Sequence, residues 1–129
     1  MTKQIVRTED APAPFQGAPY NQAVVANGFV FVAGQLGLEP GSKEVVDGGI
    51  GPQTERVFAN LKAILAAAGT SIDNVVKTTV FLRNLDDFAG MNDVYASHIG
   101  DAPPARSTVE VGRLPAGALV EIEAIALAS

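Results

Sequence analysis

Arg106 is the residue whose chemical type most directly suggests ligand binding. Its planar guanidinium can hold a carboxylate through two parallel hydrogen bonds. It begins a segment of alternating residue type, Arg106 to Leu114, that predicts a β-strand. Because side chains alternate between the two faces of a strand, Arg106 and Thr108 lie on one face and Val109 lies on the other.

The last segment of the chain, Leu119 to Leu127, alternates in the same way and carries two glutamates. By the same rule, Glu121 and Glu123 share a face. We expect the two segments to form an antiparallel pair of strands, because only the turn residues Pro115-Ala116-Gly117 join them. That pairing would place Arg106 and Glu121 on the same face of the sheet.

Two interpretations of this charged face are open. It is either the solvated face of an antiparallel sheet or a surface buried against another subunit, with the charges in a crevice at the junction. Large aliphatic residues share the face with the glutamates, which favours the second interpretation. These residues are Leu119, Ile125 and Leu127. Arg106 is then a candidate receptor for an anion at the junction.

The first half of the chain predicts a hairpin between two loops. Val24 to Val32 contains two β-branched and aromatic runs separated by Asn27-Gly28, which is typical of a type I′ turn. The proline-rich segment from Ala11 to Pro19 predicts an ordered arm or loop. Glu39 to Gly51 predicts a second loop, with a short strand at Glu44 to Val46.

Two amphipathic helices and a strand follow. The first helix starts with Pro52 and is stopped by Gly69, and Val75 to Leu82 reads as a strand. Asp86 is the expected cap of the second helix. The apolar stripe of that helix is Phe88, Met91, Tyr95 and Ile99. The order of elements predicts one α+β domain over residues 1–129, a mixed sheet with both helices available to cover one face.

Composition narrows the function classes. Nine Lys and Arg against fourteen Asp and Glu give a net charge of -5, which opposes general binding to a phosphate backbone. The chain has no cysteine and one histidine, His98, so neither a thiolate site nor a multi-histidine metal site is possible. Met1 to Asp10 lacks the apolar run of a signal peptide, and no segment is long and apolar enough to span a membrane. We therefore expect a cytoplasmic location.

A family resemblance runs from about residue 10 to residue 127. Its strongest part is Pro104-Ala105-Arg106-Ser107-Thr108-Val109-Glu110-Val111-Gly112-Arg113-Leu114-Pro115 followed by Val120-Glu121-Ile122-Glu123-Ala124-Ile125-Ala126. This segment resembles the C-terminal signature of the RidA/YjgF/UK114 family. Further resembling blocks are Pro19-Tyr20-Asn21-Gln22-Ala23, Ala33-Gly34-Gln35, Asn60 to Leu65, Val76 to Phe81 and Phe88 to Tyr95.

The resemblance implies a chorismate-mutase-like α+β fold and a homotrimer. In such a trimer the sheets form a central β-barrel, the helices lie outside, and three clefts lie between subunits. It also implies a deaminase that hydrolyses 2-aminoacrylate, 2-aminocrotonate and their imine tautomers to 2-keto acids and ammonia. No metal or organic cofactor is implied. From the acidic charge and the lack of a long apolar segment we expect no nucleic-acid or membrane partner.

The resemblance assigns the chemistry to few residues. Arg106 would bind the substrate carboxylate, with a second contact from the backbone N–H of Gly34. Glu121 would position a water near the imine carbon and act as general base or acid. A structural salt bridge to Arg106 or to a neighbouring subunit is the alternative role of Glu121.

Three further residues complete the implied site. Tyr20 would close the cleft with its ring and hydroxyl. Asn92, on the polar side of the second helix, corresponds to a family asparagine that reaches a neighbouring site. Thr108 stands where many members carry a cysteine, so it keeps a hydrogen-bonding group without thiol chemistry.

Two other functions stay open. A non-catalytic regulatory trimer could use the same cleft to sense small carboxylates such as 2-ketobutyrate or serine. An endoribonuclease or translation inhibitor is the other possibility, because that role is attributed to some members of the family. The acidic charge of the chain argues against RNA binding.

Overall fold

One mixed sheet and two α-helices make up the fold in the computed structural model, which describes residues 2–129. The strands are β1 (Gln4–Val6), β2 (Ala23–Ala26), β3 (Phe29–Leu36), β4 (Val75–Leu82), β5 (Ala105–Glu110) and β6 (Val120–Leu127). The helices are α1 (Ile50–Ala67) and α2 (Phe88–His98). The strands lie in the order β1-β2-β3-β6-β4-β5. The predicted α+β class is confirmed, although β1 is not among the predicted strands.

The predicted hairpin is confirmed as β2 and β3. Asn27 and Gly28 have φ angles of 51° and 81°. A type I′ turn needs positive φ at both central residues, and Asn and Gly adopt that conformation most readily. The register pairs Ala26 with Phe29 across the turn.

The loop between β3 and α1 contains a single isolated bridge, Leu38 with Val45. The short strand predicted at Glu44 to Val46 is therefore wrong as a strand. Only one pair of residues meets, so no ladder of hydrogen bonds develops.

α1 starts earlier than predicted and ends as predicted. It begins at Ile50, two residues before Pro52. At its end Gly69 has a φ of 85°. The N–H of Thr70 donates to the carbonyl of Leu65 at 3.0 Å. This is the bond that closes a helix through a left-handed glycine.

The start of α2 differs from the prediction, because Asp86 does not cap it: Asp87 precedes the helix without a side-chain capping bond, and Asn84 caps the short turn before it. Asn84 Oδ1 accepts a hydrogen bond from the Asp86 N–H at 2.8 Å. A short 3₁₀ turn over Leu85–Asp87 then leads into α2. Asparagine is as good a cap as aspartate, and the preceding strand ends only two residues earlier.

Both helices cover one face of the sheet, as predicted. Their buried residues form one core with the strand residues below them. This core includes Val30, Val32, Val57, Phe58, Leu61, Ile64, Leu65, Val80, Leu82, Met91, Tyr95, Val120 and Ile122. The opposite face is open, and Phe31 and Leu127 there are 45% and 41% exposed. Within residues 2–129, neither helix has the length and apolar character needed to cross a membrane.

The last two strands are not neighbours, so the predicted antiparallel pair is wrong. β5 pairs in parallel with β4, whereas β6 lies antiparallel between β4 and β3. α2 connects β4 to β5, and parallel strands require a crossover of this kind. The connection over residues 111–119 passes the end of β4, where the Arg83 N–H donates to the Leu119 carbonyl.

His98 links the two helices. Its Nδ1 lies 2.7 Å from Lys62 Nζ, and its Nε2 lies 2.9 Å from Glu55 Oε2. Its ring stacks on Phe58 with a centroid separation of 4.6 Å. The histidine therefore ties α2 to α1.

Candidate functional site

Arg106 lies on β5 with its guanidinium against α2. The guanidinium carbon is 4.7 Å from the ring centroid of Tyr95 and 5.5 Å from that of Phe88. Its partner in the register is Thr78, which is buried beneath the helices. Among the residues described, Arg106 forms no ion pair. Its positive charge is therefore free to bind an anion.

Two buried oxygen atoms without partners accompany Arg106. They are Asn92 Oδ1 and Thr108 Oγ1, neither of which has a hydrogen-bond partner in residues 2–129. Thr108 is two residues beyond Arg106 and so shares its face. Asn92 lies between Phe88 and Tyr95 at helical spacings of four and three, so it lies on the side of α2 that contacts Arg106. Buried polar atoms usually have partners, which makes both oxygens candidates for ligand contact.

The prediction that Asn92 lies on the polar side of α2 is wrong for its amide oxygen, which is buried. Tyr95 and Phe88, which the sequence predicts only as part of an apolar stripe, also contact Arg106. No sequence signal singles them out, because an aromatic stripe at helical spacing usually marks a core.

Glu121 and Gly34 form a second group. A methyl group at Gly34 would overlap the Glu121 carboxylate, so a side chain there would force that carboxylate to move. Gly34 lies where the β3–β6 register is irregular, between Val32 and Gln35. Burial raises the pKa of Glu121, and the negative charge of Glu123 raises it further. The protonated form of this carboxyl group therefore persists to higher pH than that of an exposed glutamate.

Tyr20 belongs to the proline-rich arm and lies near Gly34. The two residues line a small cavity of about 30 Å³, together with Phe15 and Leu36. The Tyr20 hydroxyl accepts a hydrogen bond from the Phe15 N–H at 2.6 Å. Tyr20 is 42% exposed as a residue, which leaves it available to a ligand.

Gln22 holds this arm in place, a role that we did not predict from the sequence. Its Nε2 donates to the carbonyls of Thr8, Ala11 and Pro12 at 2.8–3.2 Å. Its Oε1 accepts from the Thr8 N–H at 2.7 Å. Glutamine at the start of an apolar strand was the available signal, because a buried amide there needs partners from elsewhere.

The two groups lie on opposite faces of the sheet, so the prediction that Arg106 and Glu121 share a face is wrong. Arg106 pairs with Thr78 of β4, whereas Glu121 pairs with Phe81 of the same strand. Positions 78 and 81 are an odd number of residues apart and point to opposite faces. β4 lies between β5 and β6, and its register sets this relation. Within one chain, Arg106 therefore has Thr108 and Asn92 nearby, and Glu121 has Gly34.

Within residues 2–129, no group of three His, Asp or Glu side chains converges to bind a metal ion. The candidate site thus consists of a cation with two free oxygens on one face, and a carboxyl group of raised pKa on the other.

Comparison with known proteins gives matches over nearly the whole chain. The profile of the family described as Endoribonuclease L-PSP matches residues 8–128. A RutC family protein of Pyrococcus abyssi is 51% identical over 126 residues, which are 98% of each chain. The 2-iminobutanoate/2-iminopropanoate deaminase of Bos taurus is 41% identical over 127 residues, 98% of this chain and 91% of that protein.

Solved structures show the same fold. The crystal structure of yeast Mmf1 has a TM-score of 0.92 and 44% identity and covers 98% of both chains. The crystal structure of E. coli TdcF with bound serine has a TM-score of 0.88 and 38% identity, covering 98% of this chain and 99% of that one. Both likenesses extend over nearly the full length of the chain.

Proposed function

The chain belongs to the RidA/YjgF/UK114 family, and from that premise we propose that it is a 2-iminobutanoate/2-iminopropanoate deaminase. Its substrates would be 2-aminoacrylate, 2-aminocrotonate and their imine tautomers. The observation that carries the proposal is the half-buried Arg106, which forms no ion pair in the part of the chain described and lies beside two buried oxygens without partners. A small acid bearing a carboxylate and an N–H group has the matching charges and donors.

The first group of residues would bind the substrate. The Arg106 guanidinium would hold the carboxylate through two parallel hydrogen bonds. The Thr108 hydroxyl, which can donate as well as accept, would add a third bond to it. Asn92 Oδ1 can only accept, so its natural partner is the N–H of the substrate.

The second group would carry out the hydrolysis. Glu121 would orient a water molecule and accept its proton as the oxygen bonds to the imine carbon and the C=N π electrons move to nitrogen, which then takes this proton to give a carbinolamine. Glu121 would next accept the proton of the new hydroxyl group and pass it to the amine, so that the C–N bond breaks with formation of the C=O bond, releasing ammonia and leaving a 2-keto acid. The raised pKa of Glu121 suits a group that must both accept and donate a proton, because its protonated form persists to higher pH than that of an exposed glutamate. The N–H of Gly34 would bind the substrate carboxylate, and Tyr20 would close the cleft.

A site that uses both groups would need two copies of the chain, because Arg106 and Glu121 lie on opposite faces. We therefore propose a homotrimer with a central β-barrel and three clefts between subunits. Its support is the apolar surface on the open face of the sheet. Exposed residues there include Ile5, Phe29, Phe31 and Leu127.

The remaining parts of the proposal follow from the sequence. The reaction needs no metal or organic cofactor, because the imine is already reactive and hydrolysis requires only water and proton transfer. The net charge of -5 disfavours RNA as a partner, despite the description of the family as an endoribonuclease. The cytoplasmic location stays a prediction.

The proposal can be tested with a threonine dehydratase that generates the imine and semicarbazide that traps it. The wild-type protein should reduce the amount of semicarbazone. Arg106→Ala should lower kcat/KM by at least about 30-fold, because it removes one partner of a charge pair formed with substrate. Arg113→Ala is the matched control, since Arg113 is an exposed arginine outside the site.

Unchanged trapping by the wild-type protein, or equal activity of the Arg106 variant, would refute the deaminase. Binding of 2-ketobutyrate or serine by calorimetry, without any turnover, would instead support the carboxylate-sensing alternative. Serine bound to the related TdcF gives that alternative its specific support.

A further inference from the structure

Arg106 rests on an aromatic surface instead of a carboxylate. The Tyr95 ring centroid lies 4.7 Å from its guanidinium carbon, with the Phe88 ring at 5.5 Å. Tyr95 is 7% exposed, whereas Phe88 is 40% exposed. Tyr95 is therefore the fixed surface under the cation, and Phe88 forms its solvent-facing edge.

Tyr95 is itself held on two sides. Its hydroxyl is 2.7 Å from Thr78 Oγ1, a residue that is 1% exposed. Its ring meets Phe58 edge to face, with centroids 5.4 Å apart and an interplanar angle of 82°. Such T-shaped pairs are a favoured aromatic geometry. The ring can therefore move little relative to the sheet.

Thr78 joins this contact to the backbone position of the arginine. Thr78 and Arg106 are register partners in the parallel pair β4–β5. The hydrogen bond between the Tyr95 and Thr78 hydroxyls thus connects the Tyr95 ring to the β4 residue that pairs with Arg106. A closed path results, from the Arg106 backbone through Thr78 and Tyr95 to the Arg106 guanidinium.

An aromatic support has a chemical advantage over an ionic one. A glutamate or aspartate would occupy the N–H groups of the guanidinium and compete with a substrate carboxylate. An aromatic face attracts the cation through its quadrupole and leaves those N–H groups free. It also limits the rotamers of a long side chain, which lowers the entropy lost on binding.

We propose that Tyr95 is a positioning residue that holds the Arg106 guanidinium ready for a carboxylate, with its hydroxyl anchored by Thr78. The inference rests on the carboxylate-binding role proposed for Arg106. It predicts that removing the Tyr95 ring weakens carboxylate binding and leaves the rate of the chemical step unchanged.

The test compares Tyr95→Leu with Tyr95→Phe, using calorimetric binding of 2-ketobutyrate and steady-state kinetics. Tyr95→Leu should raise the Kd and KM by about three- to tenfold, the range expected for one cation–π contact, and leave kcat nearly unchanged. Tyr95→Phe keeps the ring but loses the bond to Thr78, so its Kd and KM should lie between those of the wild type and of Tyr95→Leu. Leu65→Ala, a buried change on α1, controls for general loss of stability.

A double-mutant cycle separates positioning from packing. In an Arg106→Lys background the cation has no planar fork for the ring to orient, so removing the Tyr95 ring should raise the Kd by a smaller factor than it does in the wild type. Full additivity of the two changes would overturn the proposal. So would wild-type affinity in folded Tyr95→Leu, or an equal loss of affinity in Leu65→Ala.

A spectroscopic measurement keeps this inference distinct from the proposed function. The NMR signal of the Arg106 Nε–H should show a ring-current shift in the wild type and in Tyr95→Phe, and lose most of it in Tyr95→Leu. An identical signal in all three proteins would overturn the positioning role whatever the activity. A normal ring-current shift in a protein that binds no carboxylate would leave the aromatic support in place and refute the proposed function instead.

Discussion

Glu121 lies in an environment that disfavours its charged form. Burial is the larger cause, and the neighbouring charge of Glu123 is the smaller one, and both raise its pKa above the ordinary value of 4.5. The close approach of Gly34 to the carboxylate shows how the chain makes room for this group. The environment of Glu121 therefore costs stability when the carboxyl group is charged. It also keeps a proton on this group that is available for chemistry.

The raised pKa of Glu121 predicts how the stability of the folded protein depends on pH. Between pH 4.5 and the raised pKa, the folded state binds more protons than the unfolded state, so stability falls as pH rises through that window. Glu121→Gln removes the titrating group and should flatten this part of the curve. We expect its melting temperature to exceed that of the wild type at pH 7, with the difference shrinking as the pH is lowered through the window.

Thermal melting monitored by circular dichroism from about pH 4 to about pH 8 measures this difference across the window. Glu123→Gln is the control. It removes only the charge of Glu123, which is the smaller cause of the raised pKa of Glu121, so the pH range over which stability falls should become narrower but should not disappear. A constant difference between wild type and Glu121→Gln at every pH would contradict the assignment.

At the scale of elements, the proline-rich arm depends on one buried side chain. Gln22 bonds backbone groups of Thr8, Ala11 and Pro12, and no regular strand or helix holds residues 8–14 otherwise. The arm also contains the hydrogen bond between Tyr20 and Phe15. The Tyr20 ring therefore keeps its position only while the arm is ordered.

Gln22→Ala should therefore release the arm and leave the core intact. The loss of its buried hydrogen bonds should lower the free energy of unfolding by about 1–3 kcal/mol. Hydrogen exchange followed by mass spectrometry should show faster exchange over residues 7–20 than in the wild type. Asn21→Ala is the neighbouring control, because Asn21 makes only a 3.5 Å contact with Arg7. Faster exchange throughout the sheet would mean that Gln22 supports the core rather than the arm.

At the scale of the whole molecule, the sheet separates the two groups of site residues. Arg106, Thr108 and Asn92 lie on the helix side, whereas Gly34 and Glu121 lie on the open side. The apolar open face offers the surface through which copies of the chain could associate. The proposed trimer would join the groups that one chain keeps apart.

Mixed oligomers test this arrangement. Arg106→Ala and Glu121→Gln chains should each be inactive, and refolding them together should restore a substantial fraction of wild-type activity. The reason is that some clefts would receive Arg106 from one chain and Glu121 from another. The measurement is the semicarbazide assay on the co-refolded mixture.

The control mixes Arg106→Ala with the double variant Arg106→Ala/Glu121→Gln, which leaves no intact Arg106 in any cleft. This mixture should stay inactive. If the first mixture also stays inactive, although size-exclusion chromatography shows mixed oligomers, then the two residues do not share an intersubunit site.

Local signals in the sequence determined most of the elements. Asn27-Gly28 specified the hairpin turn, and Gly69 specified the end of α1, because these positions need conformations that few residues adopt. The alternation around Arg106 correctly separated it from Val109. The motifs between Pro104 and Ala126 were enough to identify the family, because membership is carried by residue types and their spacing.

Only the tertiary structure decided which strands are neighbours and which faces meet. β4 lies between β5 and β6, so its register places Arg106 and Glu121 on opposite faces. Alternation along one strand fixes which of its own side chains share a face, but the relation between strands depends on long-range pairing. The contact of Tyr95 with Arg106 arises from the same pairing, because it requires β5 to return beside β4 beneath α2.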